Sequence, residues 1–308
     1  MTFGEYLKAF RKAYGLTQES LVEALYLFDD TFFSGLDTTT LSKWERNVTR
    51  PKTAKQAMVI KFAQEHTGLA LPLFETMDAA ALDEAICRSG LANLLKGKNK
   101  ELVMRLPIER AKSEILEITP LHRCERQEAL CELLADMRNA AHPPQTHIDA
   151  EQLRAWSDHP AHRFRVCRYK GLVTGVLFSL RLRVESYRAT LLFERPLNRL
   201  DEDDFAANDE VFCQLHLAFF ALDETSALRL ILRAYREAIA DQKRMRRSGI
   251  VAARNEAHKI VERLEMFPVE TLQSEGFDVV SYDAPIETSL SSRYFVESIF
   301  TSNGCKED

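Results

Sequence analysis

LTQESLVEAL (Leu16–Leu25) and LSKWERNVTRP (Leu41–Pro51) are the two stretches that decide the N-terminal fold. In the first, Thr17 can cap a helix, Gln18 and Glu19 fill its first turn, and Leu21, Val22 and Leu25 recur on one side. Before the second, Asp37 or Thr38 caps a short helix, TTTLSKWERN. There Leu41 and Trp44, three apart, face inward and leave Thr39, Thr40, Ser42 and Lys43 outside. Upstream, Thr2 followed by Glu5 forms a capping-box pattern, and Phe3, Leu7, Phe10 and Tyr14 keep helical spacing until Gly15 closes the segment. Downstream, a fourth helix is expected over Thr53 to His66, ended by Gly68, and another from Asp78 through Leu95.

A short helix that exposes small polar residues and a lysine at its start suits the major groove, where such side chains reach base edges. Arg46, Arg50, Lys52 and Lys55 continue the basic run and suit flanking phosphates. Taken alone, these are ordinary solvated charges. Both quoted stretches, in this order, resemble the signature halves of the Cro/C1-type (XRE family) helix-turn-helix domain.

That resemblance implies a double-stranded DNA operator as partner. It also implies DNA contacts from Gln18, Thr38, Thr39, Thr40, Ser42, Lys43, Arg46, Asn47, Arg50 and Lys52, and a structural pair of Arg11 with Glu45. One short recognition helix covers few base pairs, so a homodimer on two half-sites is expected. YLFDDTFFSGLD makes the connection before the third helix about six residues longer than the family's tight turn. Its Phe28, Phe32 and Phe33 are apolar for a solvent loop, so the insert either extends the second helix and packs into the core or docks on a partner.

From about Ser113 strands and helices alternate. EILEIT reads as a strand, Glu125 to Asn139 and Asp149 to Ser157 as helices, and RFRVCRYK with LVTGVLFSLRL as a hairpin around Gly171. VFCQLHLAFFA is an apolar strand leading into a helix from Glu224 to Ala240. GIVAARNEAHKIVERL gives a strand and helix, and GFDVVSY and RYFVESIF give two closing strands.

This order resembles the GCN5-related N-acetyltransferase fold, with ITPLHRCERQEALCELLADM as its opening and RNEAH and EGF (Glu275 to Phe277) in its closing portion. The resemblance covers roughly residues 113 to 300. The expected architecture is an all-α helix-turn-helix domain (1–98), a linker (99–112) that begins within the polar GKNK (Gly97 to Lys100), and an α+β, acetyltransferase-like domain with a mixed sheet (113–308).

Enzymes of that fold hold the pyrophosphate of acetyl coenzyme A on a glycine-rich loop at a helix N-terminus. Here the corresponding ALDETSAL has no glycine or arginine, and Asp223 and Glu224 occupy the positive end of the helix. The family's late tyrosine is not evident before Gly276. The expectation is therefore no cofactor, no catalytic residue and no enzyme. The expected function is a sequence-specific transcriptional regulator whose inactive C-terminal domain senses a small-molecule or protein effector, or dimerises. The alternatives are a DNA-targeted acyl-CoA-dependent N-acetyltransferase, and an antitoxin or anti-repressor that binds a protein.

Charged residues make up 28% of the chain and nearly cancel to a net charge of -5, so any DNA contact is local. No run approaches the roughly 18 to 20 apolar residues of a membrane span. The start carries acids instead of a leader, and a cytoplasmic protein, nucleoid-associated on DNA, is expected. Six cysteines without a CxxC pair read as reduced and mostly buried. His142, His147, His159 and His162 lie in a proline-rich stretch without helical pairing and are not expected to hold a metal. KRMRRS (Lys243 to Ser248) reads as the solvated end of the preceding helix.

Overall fold

A computed structural model describes residues 1–94, 116–140, 142–253, 261–274, 277–300 and 306–307. The GKNK stretch, the 99–112 linker, RNEAH and Gly276 lie outside the described residues. The chain forms two compact units. One comprises residues 1–98, 232–243 and 287–308; the other comprises 99–231 and 244–286.

The first unit begins with helices α1 (Phe3–Ala13), α2 (Gln18–Phe28), α3 (Asp30–Phe33) and α4 (Thr38–Glu45). Local chemistry sets their starts. Thr2 and Glu5 form a reciprocal capping box on α1, Thr17 and Ser20 form one on α2, and the Asp37 carboxylate accepts the Thr40 N–H of α4 at 2.6 Å. The long connection after α2 is neither a free loop nor an extension of that helix. Asp29 caps the separate α3, Phe33 is fully buried, and Phe28 packs edge-on against Phe62.

Strand β1 (Thr49–Arg50) and α5 (Thr53–Thr67) follow, and Gly68 closes α5 in the left-handed conformation. The helix expected from Asp78 is divided into α6 (Ala79–Leu82), a π-helical stretch (Asp83–Arg88) and α7 (Ser89–Leu94). The core gathers Tyr6, Leu7, Phe10, Leu21, Leu25, Leu41, Trp44, Val59 and Ile60. At Gly4 a Cβ would meet the Trp44 carbonyl at 2.1 Å, so only glycine lets α1 cross the end of α4 this closely.

The second unit is built on a seven-stranded sheet. Its strands and helices are, in chain order, β2 (Leu116–Pro120), α8 (Gln127–Ala140), α9 (Ala150–Asp158), β3 (Arg163–Tyr169), β4 (Leu172–Leu182), α10 (Val184–Leu191), β5 (Phe212–Ala221), α11 (Glu224–Ala240), β6 (Met245–Ala253), β7 (Phe267–Ser274) and β8 (Phe277–Pro285). Residues of α11 from Leu232 onward belong to the first unit. The spatial order is β2-β3-β4-β5-β6-β8-β7, antiparallel throughout except for the parallel β5–β6 pair. This is a mixed sheet.

Lys170 and Gly171, both at positive φ, turn β3 into β4. Along β4 the alternation has period two. Val176, Phe178, Leu180 and Leu182 share a core with Cys131 and Leu134 of α8 and with Leu153 and Trp156 of α9. Leu177, Ser179 and Arg181 take the opposite face. Fully buried Arg181 lies 3.7 Å over the Phe212 ring.

Two expectations fail locally. KRMRRS is no helix end: Met245 to Ser248 open β6, where pairing with β5 sets the backbone and Asp283 of β8 neutralises Arg247 at 2.6 Å. RYFVESIF is no strand. After α12 (Ile286–Ser291) it forms α13 (Arg293–Ile299), capped by Ser292, with Phe295 and Ile299 buried one turn apart. From Glu287 onward both helices belong to the first unit. There Phe300 packs edge-on against Phe3 at 5.3 Å, and Lys306–Glu307 (β9) pairs parallel with β1.

Candidate active site

The parallel pair β5–β6 runs in register only from Phe212 opposite Met245 to His216 opposite Ile250. Beyond that point β5 continues to Ala221 bonded to β4 alone, and β6 continues to Ala253 bonded to β8 alone. The two strands part into a fork whose facing edges carry no strand partner. Ala218, Phe219 and Phe220, on the fork half of β5, are half-buried, whereas residues 212 to 215 are buried. A bulge lies at the same place: the β4–β5 register passes from Ala218 to His216 and skips Leu217.

His216 stands at the apex. Its Nδ1 lies 2.7 Å from Ser179 Oγ on β4, and its Nε2 lies 3.0 Å from Ser248 Oγ on β6. Burial within the sheet lowers its pKa to about 4, so the ring is neutral at pH 7. A neutral imidazole joined to two hydroxyls can accept a proton and pass it on. Close by, Tyr187 of α10 donates to Asp283 at 2.7 Å. Burial first, then the Asp283 charge, holds that phenol protonated far above its ordinary range.

The start of α11 is filled from within. Asp223 Oδ1 accepts the Ser226 N–H at 3.0 Å, and Ser226 Oγ donates to Asp223 Oδ2 at 2.5 Å and contacts Thr174 Oγ1 at 2.8 Å. Asp223, Glu224, Thr225 and Ser226 are all buried. An anion at a helix N-terminus is held by bare amides, and here the Asp223 carboxylate already takes the Ser226 amide and adds a negative charge of its own.

Of the residues assigned to DNA, Thr38, Thr39, Lys43, Arg46 and Lys52 are exposed on or just after α4, and Thr40, Ser42, Asn47 and Arg50 are half-buried. Arg46 Nε returns to the Ser42 carbonyl and Arg50 Nη2 reaches Gln56 Oε1, each at 3.2 Å. Gln18 turns inward, donating to Glu45 Oε2 at 2.8 Å. Arg11 meets the same carboxylate with Nε at 2.5 Å and Nη2 at 3.1 Å, and its Nη1 reaches the Leu16 carbonyl at 2.9 Å. Burial alone would raise the Glu45 carboxyl, but hydrogen bonds from Arg11 and Gln18 and the Arg11 charge carry it below its usual value.

The histidines of the proline-rich stretch fall in two pairs. His147 Nε2 lies 2.8 Å from the His142 carbonyl, and the rings of His159 and His162 are 4.3 Å apart. Among the described residues no group of three His, Cys, Asp or Glu side chains is arranged to hold a metal. Also among them, the five cysteines 87, 124, 131, 167 and 213 are free and buried, and no helix is long and apolar enough to cross a membrane.

The chain is similar to several solved structures. FeeM, an N-acyl amino acid synthase from uncultured soil microbes, is 12% identical over 58% of this chain and 93% of that chain, with a TM-score of 0.39. An N-acetyltransferase from Staphylococcus aureus Mu50 is 15% identical over 56% and 98%, with a TM-score of 0.37. The GNAT domain of S. lividans PAT is 12% identical over 55% and 89%, again with a TM-score of 0.37. No family model and no curated protein matches the chain.

These neighbours are acyl- and acetyltransferases. Two expectations are accordingly corrected: that the chain is a transcriptional regulator with an inactive sensing or dimerisation domain, and that it is no enzyme. Reading ALDETSAL alone weighed one anion subsite. It missed the fork and the Ser179–His216–Ser248 row, which three separate strands assemble.

Proposed function

We propose that this protein is an N-acyltransferase that takes its acyl group from a pantetheine thioester, on a chain whose N-terminal unit binds DNA. One observation carries the first part: β5 and β6 part after His216 and Ile250. Unpaired strand edges seek hydrogen-bond partners, and an extended arm bearing amides, such as pantetheine, supplies them as an added strand would. The thioester at the end of that arm then meets His216 at the apex.

In the transfer, the amine nitrogen of the acceptor bonds to the thioester carbon, the C–S bond breaks, and the sulfur leaves as thiolate. The amine proton goes to His216 Nε2, directly or through Ser248 Oγ. With a pKa of about 4, the imidazolium returns it readily to the thiolate. An amide and a thiol result. The test is amide formation from acyl-pantetheine and a panel of amines, followed by mass spectrometry. No product from any amine sinks this reading.

The second part rests on α4, whose Leu41 and Trp44 are buried while Thr38, Thr39 and Lys43 at its start and Arg46 at its end are exposed. Those side chains are suited to base edges and phosphates, and a second copy would supply the other half-site. Fluorescence anisotropy on duplex DNA across salt tests it. Arg46→Ala should reduce the salt slope by about one. Lys43→Ala with Thr39→Ala should lower selectivity, each lost base contact costing about 1–3 kcal/mol. A duplex affinity untouched by all three changes removes α4 from the groove.

A further inference from the structure

Two hydroxyls meet His216, and their places at the fork tell them apart. Residues 212 to 215 of β5 are buried, and His216 is the first that is half-buried, at the point where β6 begins to leave. Ser248 belongs to β6, the other limb of the fork. It stands opposite Gln214, two residues before Ile250, and is 8% exposed. Ser179 is set back on β4 and is 1% exposed. Ser248 Oγ lies 3.0 Å from Nε2 of the ring, and Ser179 Oγ lies 2.7 Å from Nδ1.

A hydroxyl becomes a nucleophile when a base stands within hydrogen-bond reach and a third group fixes that base. Ser248, His216 and Ser179 stand in that order. The tautomer protonated on Nδ1 donates to Ser179 Oγ and leaves the Nε2 lone pair for the Ser248 hydroxyl. Among the described residues no other histidine meets a hydroxyl: His122 and His147 face carbonyl oxygens, and His159 and His162 accept backbone N–H groups. The cysteines among them are all buried, and burial pushes the Cys131 and Cys213 thiols up to about 11, away from the thiolate form.

We infer that Ser248 carries the acyl group from donor to acceptor as an ester on its Oγ. This rests on acyl transfer at the fork and divides its single displacement into two. First, Ser248 Oγ bonds to the thioester carbon, the C–S bond breaks, and the serine proton passes through His216 Nε2 to the departing thiolate. Then the acceptor amine bonds to the ester carbon, the C–O bond breaks, and one amine proton passes through the same nitrogen back to Oγ. A thiol and an amide result, and the serine is restored.

The experiment leaves the amine out. The full chain is incubated with acetyl-pantetheine and isotope-labelled free pantetheine. An ester that forms reversibly moves the label into acetyl-pantetheine, and acid quenching followed by peptide mass spectrometry should place one acetyl group on Ser248. Ser248→Ala should abolish the exchange and lower kcat for amide formation by at least about a hundredfold. Ser248→Cys should restore exchange through a cysteine thioester. Amide formation without exchange in the wild type, or an acetyl group mapped to another residue, overturns the serine carrier and leaves acyl transfer standing. Exchange lost in Ser248→Ala with amide formation at the wild-type rate overturns it as well. If Ser248→Ala does not fold, the wild-type exchange and peptide map decide. Neither exchange nor amide from any amine overturns both readings.

Discussion

Nδ1 of His216 lies 2.7 Å from Oγ of Ser179, across the β4–β5 pair and at the last position before β5 and β6 part. With Ser248 on its other nitrogen, one imidazole ties three strands together at the root of the fork. The contact fixes the ring, and burial keeps it neutral. His216→Gln retains hydrogen bonding but cannot act as a base near neutrality. It should lower kcat by about 10²–10⁴ with little change in melting temperature. In an NMR titration the His216 ring signals of the wild type should stay constant from pH 8 to pH 5 and move only toward about 4. An inflection near 6.5 would contradict the buried setting described.

Acid sensitivity follows from three histidines. Burial lowers His216 to about 4, His142 to about 3 and His162 to about 2, against 6.5 for the free side chain. Between these values and 6.5 the unfolded chain binds more protons than the folded one, so their contribution is fully present above pH 6.5 and is lost as pH falls. Each histidine should steepen the loss by about 1 kcal/mol per pH unit in that window. Urea denaturation of the full chain at pH 7.5, 6 and 5 reads this slope, and His162→Phe should flatten it.

Glu45→Gln should destabilise the N-terminal unit. The pair is only partly shielded, with side-chain exposures of 15% for Arg11 and 3% for Glu45, so a loss of roughly 2–3 kcal/mol is expected, below that of a fully buried pair. Because the Glu45 carboxyl is held below its ordinary value, its contribution is present above pH 4.5 and fades as pH falls through its folded value. The gap between the thermal melts of the two proteins should be narrower at pH 4 than at pH 7. A gap of the same size at both pH values would show that the charge of Glu45 is not what the pair contributes.

Because the Asp223 carboxylate caps the Ser226 amide at the start of α11 and brings a negative charge there, the nucleotide half of coenzyme A should add little to donor recognition. Acyl-pantetheine and acyl-CoA should react with kcat/KM values within about threefold of each other. Asp223→Asn, which retains a capping oxygen and removes the charge, should shift the ratio toward acyl-CoA. A wild-type preference of a hundredfold for acyl-CoA would mean that its phosphates are held elsewhere on this chain.

Local chemistry was legible along most of the chain. Thr2 with Glu5, Thr17, Asp37 and Asp149 each cap the helix that begins after them, because a cap needs only its own next three residues. The hairpin at Lys170–Gly171 and the start of α11 were equally readable. RYFVESIF was not, since a short apolar run fits either period until its neighbours select one. KRMRRS was misread because charge composition says nothing about which strand will pair with it.

The sequence by itself determined the helical start, the alternating second half and the acids at the head of α11, because each is a property of adjacent residues. Tertiary structure alone decided where β5 and β6 separate. It also brought Ser179 and Ser248 to His216 from 37 and 32 residues away, and it buried Arg138 with its Nη2 unpartnered. Those features arise from strand order and burial, which depend on contacts between distant segments and leave no local pattern to read.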